Sequence, residues 1–211
     1  MLLPDLHTFM IFAAASLALY IAPGPDMILI ASRSMGGGFR AGICANIGIC
    51  IGITVHMLAA AFGLAALLAA DPDLFQVLTW IGAAYLLYLG VKTILTARSG
   101  LAVEAKRPDT AAAMIRQGLF VNLLNPKIAV FFLAFLPQFA DPSRGDPTLQ
   151  ILFLGALFNA GGFVFASGIA LAFSRVGPWL RARPSVWRWQ QILSGSVLVG
   201  LAVNLALPER R

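Results

Sequence analysis

Asp26 and Lys127 each stand inside a long apolar run, and each directly follows a proline. The runs read "IAPGPDMILI" from Ile21 to Ile30 and "VNLLNPKIAVFF" from Val121 to Phe132. The two residues are 101 positions apart. They are the only charges placed deep in such runs, because Lys92 lies near a run's end, where a long side chain snorkels to the interface. Ionisable groups in apolar surroundings are costly, so they are functional candidates and usually pair. One reading is a structural ion pair tying two segments together, although buried pairs are weak evidence for stability. The other reading is a binding site. A carboxylate and an ammonium match the two ends of a zwitterion such as an amino acid. Asp26 would meet the ligand's ammonium, and Lys127, with backbone N–H groups, its carboxylate. Asp26 is also placed to exchange a proton.

The neighbouring residues say how these charges are held. Proline removes a backbone donor and stops or kinks a helix. In hydrocarbon the freed backbone groups must be satisfied by protein or by a water-filled cavity. The break at Pro23, Gly24 and Pro25 should therefore face the interior. Gly24 is expected to cap a restarted helix, with Pro25 in its first position and Asp26 in its first turn, where the dipole favours an anion. Asn125 is expected to cap the second restart, with Pro126 following it. Lys127 is then anomalous, since a cation in a first turn opposes the dipole, and something else must favour it.

Both runs belong to a chain of 211 residues that is 59% hydrophobic and 11% charged. Soluble domains are nearer about 45–50% apolar and about 25% charged, so this is a membrane protein. The net charge of +6 does not point to nucleic acid, because the basic residues sit in short stretches between apolar runs. Six runs are long enough to span: Leu6 to Ala31, Gly42 to Ala69, Leu74 to Ala97, Met114 to Phe139, Leu149 to Phe173, and Gln190 to Leu207. "DPD" at Asp71 to Asp73 separates the second and third. The first is read as a retained span rather than a signal peptide, since "MLLPDLHTF" carries no Lys or Arg and no cleavage signal follows. Ten Lys/Arg fall on one face, in loops one (Arg33, Arg40), three (Arg98, Lys106, Arg107, Arg116) and five (Arg175, Arg181, Arg183, Arg188). Three fall on the other: Arg144, Arg210 and Arg211. The first face should be cytoplasmic and both termini outside. Loop five, "RVGPWLRARPSVWRWQ", mixes Trp and Arg as an interfacial anchor does.

The chain is thus expected to be a single all-α transmembrane domain, with halves of about 1–97 and 111–211. Pro25 and Pro126 hold the same place in their halves. Gly52, His56, Ala59 and Gly63 share a helical face, and so do Gly155, Asn159, Gly162 and Ala166, each 103 residues further on; close helix packing explains such stripes too. Halves of three spans each must be inverted, and inverted halves with matching broken helices suit a transporter with a midplane site. His56 is a lone histidine and a poor metal signal. It reads as a hydrogen-bonded interior residue, with a proton or substrate role as the alternative. Asn159, Asn46, Asn122, Tyr20, Tyr85 and Tyr88 are the other polar groups in the runs. Cys44 and Cys50 lie in one run, six apart, and read as small buried hydrophobes.

"APGPDMILIASRSMGGGFRAG", "GAAYLLYLGVK" and "GLFVNLLNPKIAVFFLAFLPQF" resemble the LysE/RhtB family of bacterial amino-acid exporters, over essentially the whole chain. The resemblance implies a multi-pass bacterial inner-membrane protein that expels amino acids or related metabolites on an ion gradient. Its motif positions carry over to Pro23, Gly24, Pro25, Asn125, Pro126 and Lys127. The expectation is a proton-coupled exporter whose partners are an amino acid and the bilayer, with no enzyme activity, cofactor, metal or nucleic acid. A homo-oligomer is compatible with it. The alternatives are a metal or ion transporter, or a passive channel, on a similar six-helix plan. A membrane enzyme is disfavoured: an intramembrane aspartyl protease needs two deep Asp residues, and only Asp26 is there.

Overall fold

The computed structural model describes residues 4–70, 72–97, 104–105, 109–181 and 184–206. Among these there are helices and no strands. The helices are α1 (Leu6–Ile21), α2 (Pro25–Ala70), α3 (Pro72–Leu95), α4 (Ala111–Leu123), α5 (Pro126–Val130), α6 (Pro147–Arg181) and α7 (Pro184–Ala206). After α5 the chain continues as a π-helical turn, Phe131–Phe135, and 3₁₀ turns at Leu136–Phe139 and Pro142–Arg144. Asp71, Arg98, Lys106, Arg107, Arg183, Leu207, Arg210 and Arg211, used above for loops, span ends and orientation, lie outside the described residues.

The expected first break is present. Asp5 caps α1, its carboxylate accepting from the Thr8 N–H at 3.0 Å and the Thr8 hydroxyl at 2.7 Å. These bonds hold the Asp5 carboxyl below its usual range. α1 has 16 residues, which is about 24 Å of helix and short of a full span by itself. The chain turns extended at Ala22, and α2 restarts at Pro25. The second expected break is present as well: Leu123 ends α4, Pro126 starts α5, and the helices flanking the break bend by 54°.

The six-span reading needs correction at loop one. Residues 32–41, expected as a loop, are helical, and α2 runs on into the second apolar run. Its one departure is Gly38, with φ 73° and ψ −175°, which joins two helical stretches. Only glycine adopts that backbone cheaply, so one residue of "GGG" makes the turn and the others stay helical. Loop five is also largely helical. α6 continues past Phe173 to Arg181 with an irregular residue at Val176, and α7 begins at Pro184. By length and composition, Pro25–Gly63 and Pro147–Gly177 are long and apolar enough to cross a membrane among the described residues, and the bent pair around Pro126 would make a third.

Packing follows small residues. α2 packs on α4 and α6, and α3 on α7. At the α2–α4 crossing Gly48 and Gly118 oppose each other's backbone: a Cβ on Gly48 would lie 1.9 Å from the Ile115 carbonyl oxygen, and one on Gly118 2.1 Å from that of Ala45. Small residues let backbones approach where lipid offers no hydrophobic drive between helices. Inside, Phe131, Phe132, Phe135 and Phe158 form a buried aromatic cluster, with Phe131 and Phe158 stacked at 4.5 Å. Outside, Val164, Leu193, Ile81 and Phe62 are more than half exposed, as on a lipid-facing surface.

Gly118→Ala is expected to destabilise the purified protein by about 1–3 kcal/mol through overpacking. Gly168→Ala, whose Cβ would meet nothing within 4 Å, should not lower the melting temperature in detergent, since alanine is the better helix former. Equal melting temperatures for the two variants would contradict this packing.

Candidate transport site

Both helix restarts are capped as their residue types suggest. The Gly24 carbonyl accepts the first α2 bond, from the Ile28 N–H at 3.0 Å. The Asn125 side chain accepts from the Lys127 N–H at 3.1 Å, with Pro126 in the first helical position. Asp26 and Lys127 thereby leave their two helices one residue beyond a proline in each case.

Each then reaches the other break. The Lys127 ammonium donates to the carbonyls of Leu19 and Ala22, both at 3.0 Å. These belong to the C-terminal end of α1, where the helix dipole is negative and the carbonyls have no further helical donor. That resolves the anomaly: Lys127 opposes the dipole of its own short helix but caps the end of another. A third carbonyl there, that of Ile21, accepts from the Gln190 side chain of α7 at 2.6 Å. In the opposite sense, Oδ2 of Asp26 accepts from the Asn122 amide at 2.9 Å and the Asn125 amide at 3.0 Å, on either side of the second break. The Asn122 carbonyl is met by the His56 ring nitrogen at 3.3 Å and by the Asn125 N–H at 2.9 Å.

The direct Asp26–Lys127 ion pair that the sequence suggested is absent. No contact within 4 Å joins them. The reason is that the free carbonyls of α1 and the two asparagine amides satisfy the two charges separately. Both charges nevertheless border one cavity, which offers about 70 Å³ to the centres of water-sized molecules, several times the space that one buried water needs. Oδ1 of Asp26 is buried and has no hydrogen-bond partner among the described residues. Burying a carboxylate oxygen without a donor is costly, so this atom is the site's open acceptor.

The other expected residues fall into place around it. Asn125 acts through its amide on Asp26. His56 touches the Asn122 backbone and stacks beside Phe132 at 6.4 Å, one step behind Asp26. Asn159 donates to the Cys50 carbonyl and the Thr54 hydroxyl, both at 3.1 Å, so it ties α6 to α2 and does not border the cavity. Cys44 and Cys50 are free thiols, and Cys50 lines the cavity. Among the described residues no group of three or more His, Cys, Asp or Glu is placed to hold a metal ion.

Three features were not legible as a site from sequence. Asn122 is fully buried and holds Asp26, yet a lone Asn in an apolar run gives no sign of its partner. Tyr20 donates to the Phe158 carbonyl at 2.6 Å and walls the cavity with Phe158 and Phe165. Arg33, read as a loop cation, is buried on α2. It donates through Nε and Nη2 to Gln117 of α4 at 3.0 and 2.6 Å and lies 3.7 Å from Asp109. Next to it the Ser32 hydroxyl donates to the Glu104 carbonyl. On the opposite side of the molecule Arg144 lies 3.9 Å from the Asp5 carboxylate.

Lys127→Met should lower thermal stability, since it leaves the Leu19 and Ala22 carbonyls without their donor, at about 1–3 kcal/mol for each buried group. Unfolding of the detergent-purified variant followed by intrinsic fluorescence measures this. A melting temperature equal to that of the parent would show that the helix end does not depend on Lys127.

Comparison with known proteins identifies the family. The profile of the LysE type translocators matches residues 17–209, so the chain belongs to that family, which makes it a membrane transporter and not an enzyme. It is similar to an uncharacterized membrane protein of Vibrio cholerae, 30% identical with 96% of this chain and 98% of that one covered. It is 32% identical to an uncharacterized membrane protein of Pseudomonas aeruginosa, over 88% of each chain. It is 30% identical to a leucine efflux protein of Klebsiella pneumoniae, over 94% of each chain. No solved structure matches it.

Proposed function

As a translocator of the LysE family, we propose, this protein is a secondary exporter of amino acids across the bacterial inner membrane, driven by proton entry. The observation that carries the reading is the shared cavity of Asp26 and Lys127, with Oδ1 of Asp26 unpartnered and Lys127 bound only to neutral carbonyls. A substrate ammonium fits the first and a substrate carboxylate outcompetes the second, since charge-assisted pairs are the stronger bonds. Relatives named leucine efflux proteins support the amino-acid class.

The proposed cycle follows from what Lys127 holds. When a substrate carboxylate draws its ammonium away, the carbonyls of Leu19 and Ala22 lose their donor and the end of α1 is released. Binding is thus linked to movement at the first break. On the outer side a proton on Asp26 neutralises the carboxylate, frees the substrate ammonium, and returns inward on the emptied carrier. His56, behind Asn122, is a supporting residue. Asn125, with Pro23, Gly24, Pro25 and Pro126, sets the breaks.

We read the architecture as one transmembrane domain of two inverted halves, with α1 and the first stretch of α2 as a broken span equivalent to α4, α5 and the turns after it. In that pseudo-symmetry Asp26 and Lys127 occupy equivalent positions, which fits their reciprocal reach. The face carrying Arg40 is cytoplasmic and that carrying Arg144 is outside. Arg40→Cys should then resist a membrane-impermeant thiol reagent added to intact cells, while Arg144→Cys reacts; the reverse pattern would overturn the orientation.

Export is tested with cells or vesicles and a panel of amino acids. Efflux should run against a concentration gradient and stop with an uncoupler; efflux that persists and only dissipates a gradient would indicate a passive channel. Asp26→Asn keeps a hydrogen-bond acceptor in the first turn and should fold, but its efflux should fall and what remains should no longer respond to pH. Parent-like pH dependence in that variant would refute the coupling role.

A further inference from the structure

Beyond its two charges the cavity is apolar, and its few polar groups are spoken for. Ile30, Ile49, Ile53, Phe165 and Ile169 contribute hydrocarbon. The Tyr20 hydroxyl is used on the Phe158 carbonyl. The Asn46 amide donates to the Phe163 carbonyl at 3.1 Å and the Ser167 hydroxyl at 3.2 Å, and the Cys50 thiol points to Asn46 Oδ1 at 3.9 Å. Among the described residues no second carboxylate and no second cation borders the cavity.

Resting on the amino-acid reading above, we infer that the substrate is a neutral amino acid with an aliphatic side chain, and that Ala166 sets how long that chain can be. With Asp26 and Lys127 engaged by the α-amino and α-carboxyl groups, a lysine side chain would bring an ammonium with no carboxylate to meet it. A glutamate side chain would bring a carboxylate with no cation. Burying either charge unpaired is far costlier than the gain from its methylenes. A serine or asparagine side chain would likewise lose its water, with only the spare lone pairs of Tyr20 Oη and Asn46 Oδ1 to meet it. A branched hydrocarbon has nothing to lose and gains apolar contact. Ala166 lies on α6, one turn from Gly162 and three residues before Ile169, all three at the cavity wall. Gly162 is already filled by Tyr20, whose ring lies 3.3 Å from where its Cβ would stand. Ala166 is therefore a small position on α6 at which added side-chain volume would take space from a substrate.

Competition in vesicles loaded with labelled leucine tests this. Leucine, isoleucine and valine should compete, while lysine, glutamate and serine should not. Ala166→Leu should cut leucine export about tenfold or more, the scale of discrimination at a hydrophobic pocket, and cut alanine export much less. Ile169→Ala, which enlarges the same compartment, should raise phenylalanine export relative to leucine, and it stands as an independent check if Ala166→Leu fails to accumulate. Export of lysine or glutamate as fast as leucine overturns this inference alone. So does an equal loss of alanine and leucine export in a folded Ala166→Leu protein, or an unaltered phenylalanine-to-leucine ratio in Ile169→Ala. No export of any amino acid by the parent overturns the amino-acid reading beneath it.

Discussion

A broken helix inside a membrane must have its loose ends satisfied, and here each break is satisfied by a charge from beyond the other. Lys127, after the second break, holds the carbonyls that end α1. Asp26, after the first, takes the amides of Asn122 and Asn125 that frame the second. In water such ends would be solvated at little cost. In hydrocarbon they would each be costly, so the arrangement of the interior follows from them. The tight α2–α4 crossing at Gly48 and Gly118 brings Asn122 within reach of Asp26, and a Cβ on Gly52 would lie 2.6 Å from Oδ1 of Asn122.

The same interaction gives the site its chemistry. Two charges that neutralised each other directly would have little left for a ligand. Two charges satisfied by neutral dipoles keep their long-range attraction for an ionic partner, and the partner's gain is the difference between a charged and a neutral bond. Lys127 is a structural cap, and under the proposed function it would also be a ligand group. A ligand that recruited it in the second role would weaken the first, and occupancy of the cavity would then be felt by α1.

Much of this was legible from residue types. Pro-Gly-Pro-Asp and Asn-Pro-Lys announce a stop, a cap and a restart, and both restarts occur at the expected residues. Two charges deep in apolar runs announce a polar interior. Partner choice was not legible. Nothing in "NPK" says that the ammonium seeks the end of α1, because that depends on how α5 lies against it. Loop one was misread for a physical reason: two arginines and three glycines look like a loop. Yet Gly38 alone makes the turn, and Arg33 is drawn into the interior by Gln117. The membership of Asn159 in the site was also overstated. It shares a helical stripe with residues at the cavity, but its amide is used to lock α6 to α2.

The central claim is that both charges act on one ligand. Binding to the purified protein of leucine, of its decarboxylated amine and of its deaminated acid, compared by titration calorimetry, tests it most directly. The account predicts that leucine binds and that neither half-molecule does so with comparable affinity, since each leaves one charge with only its resting partners. Binding of the amine or the acid as tight as that of leucine would contradict it.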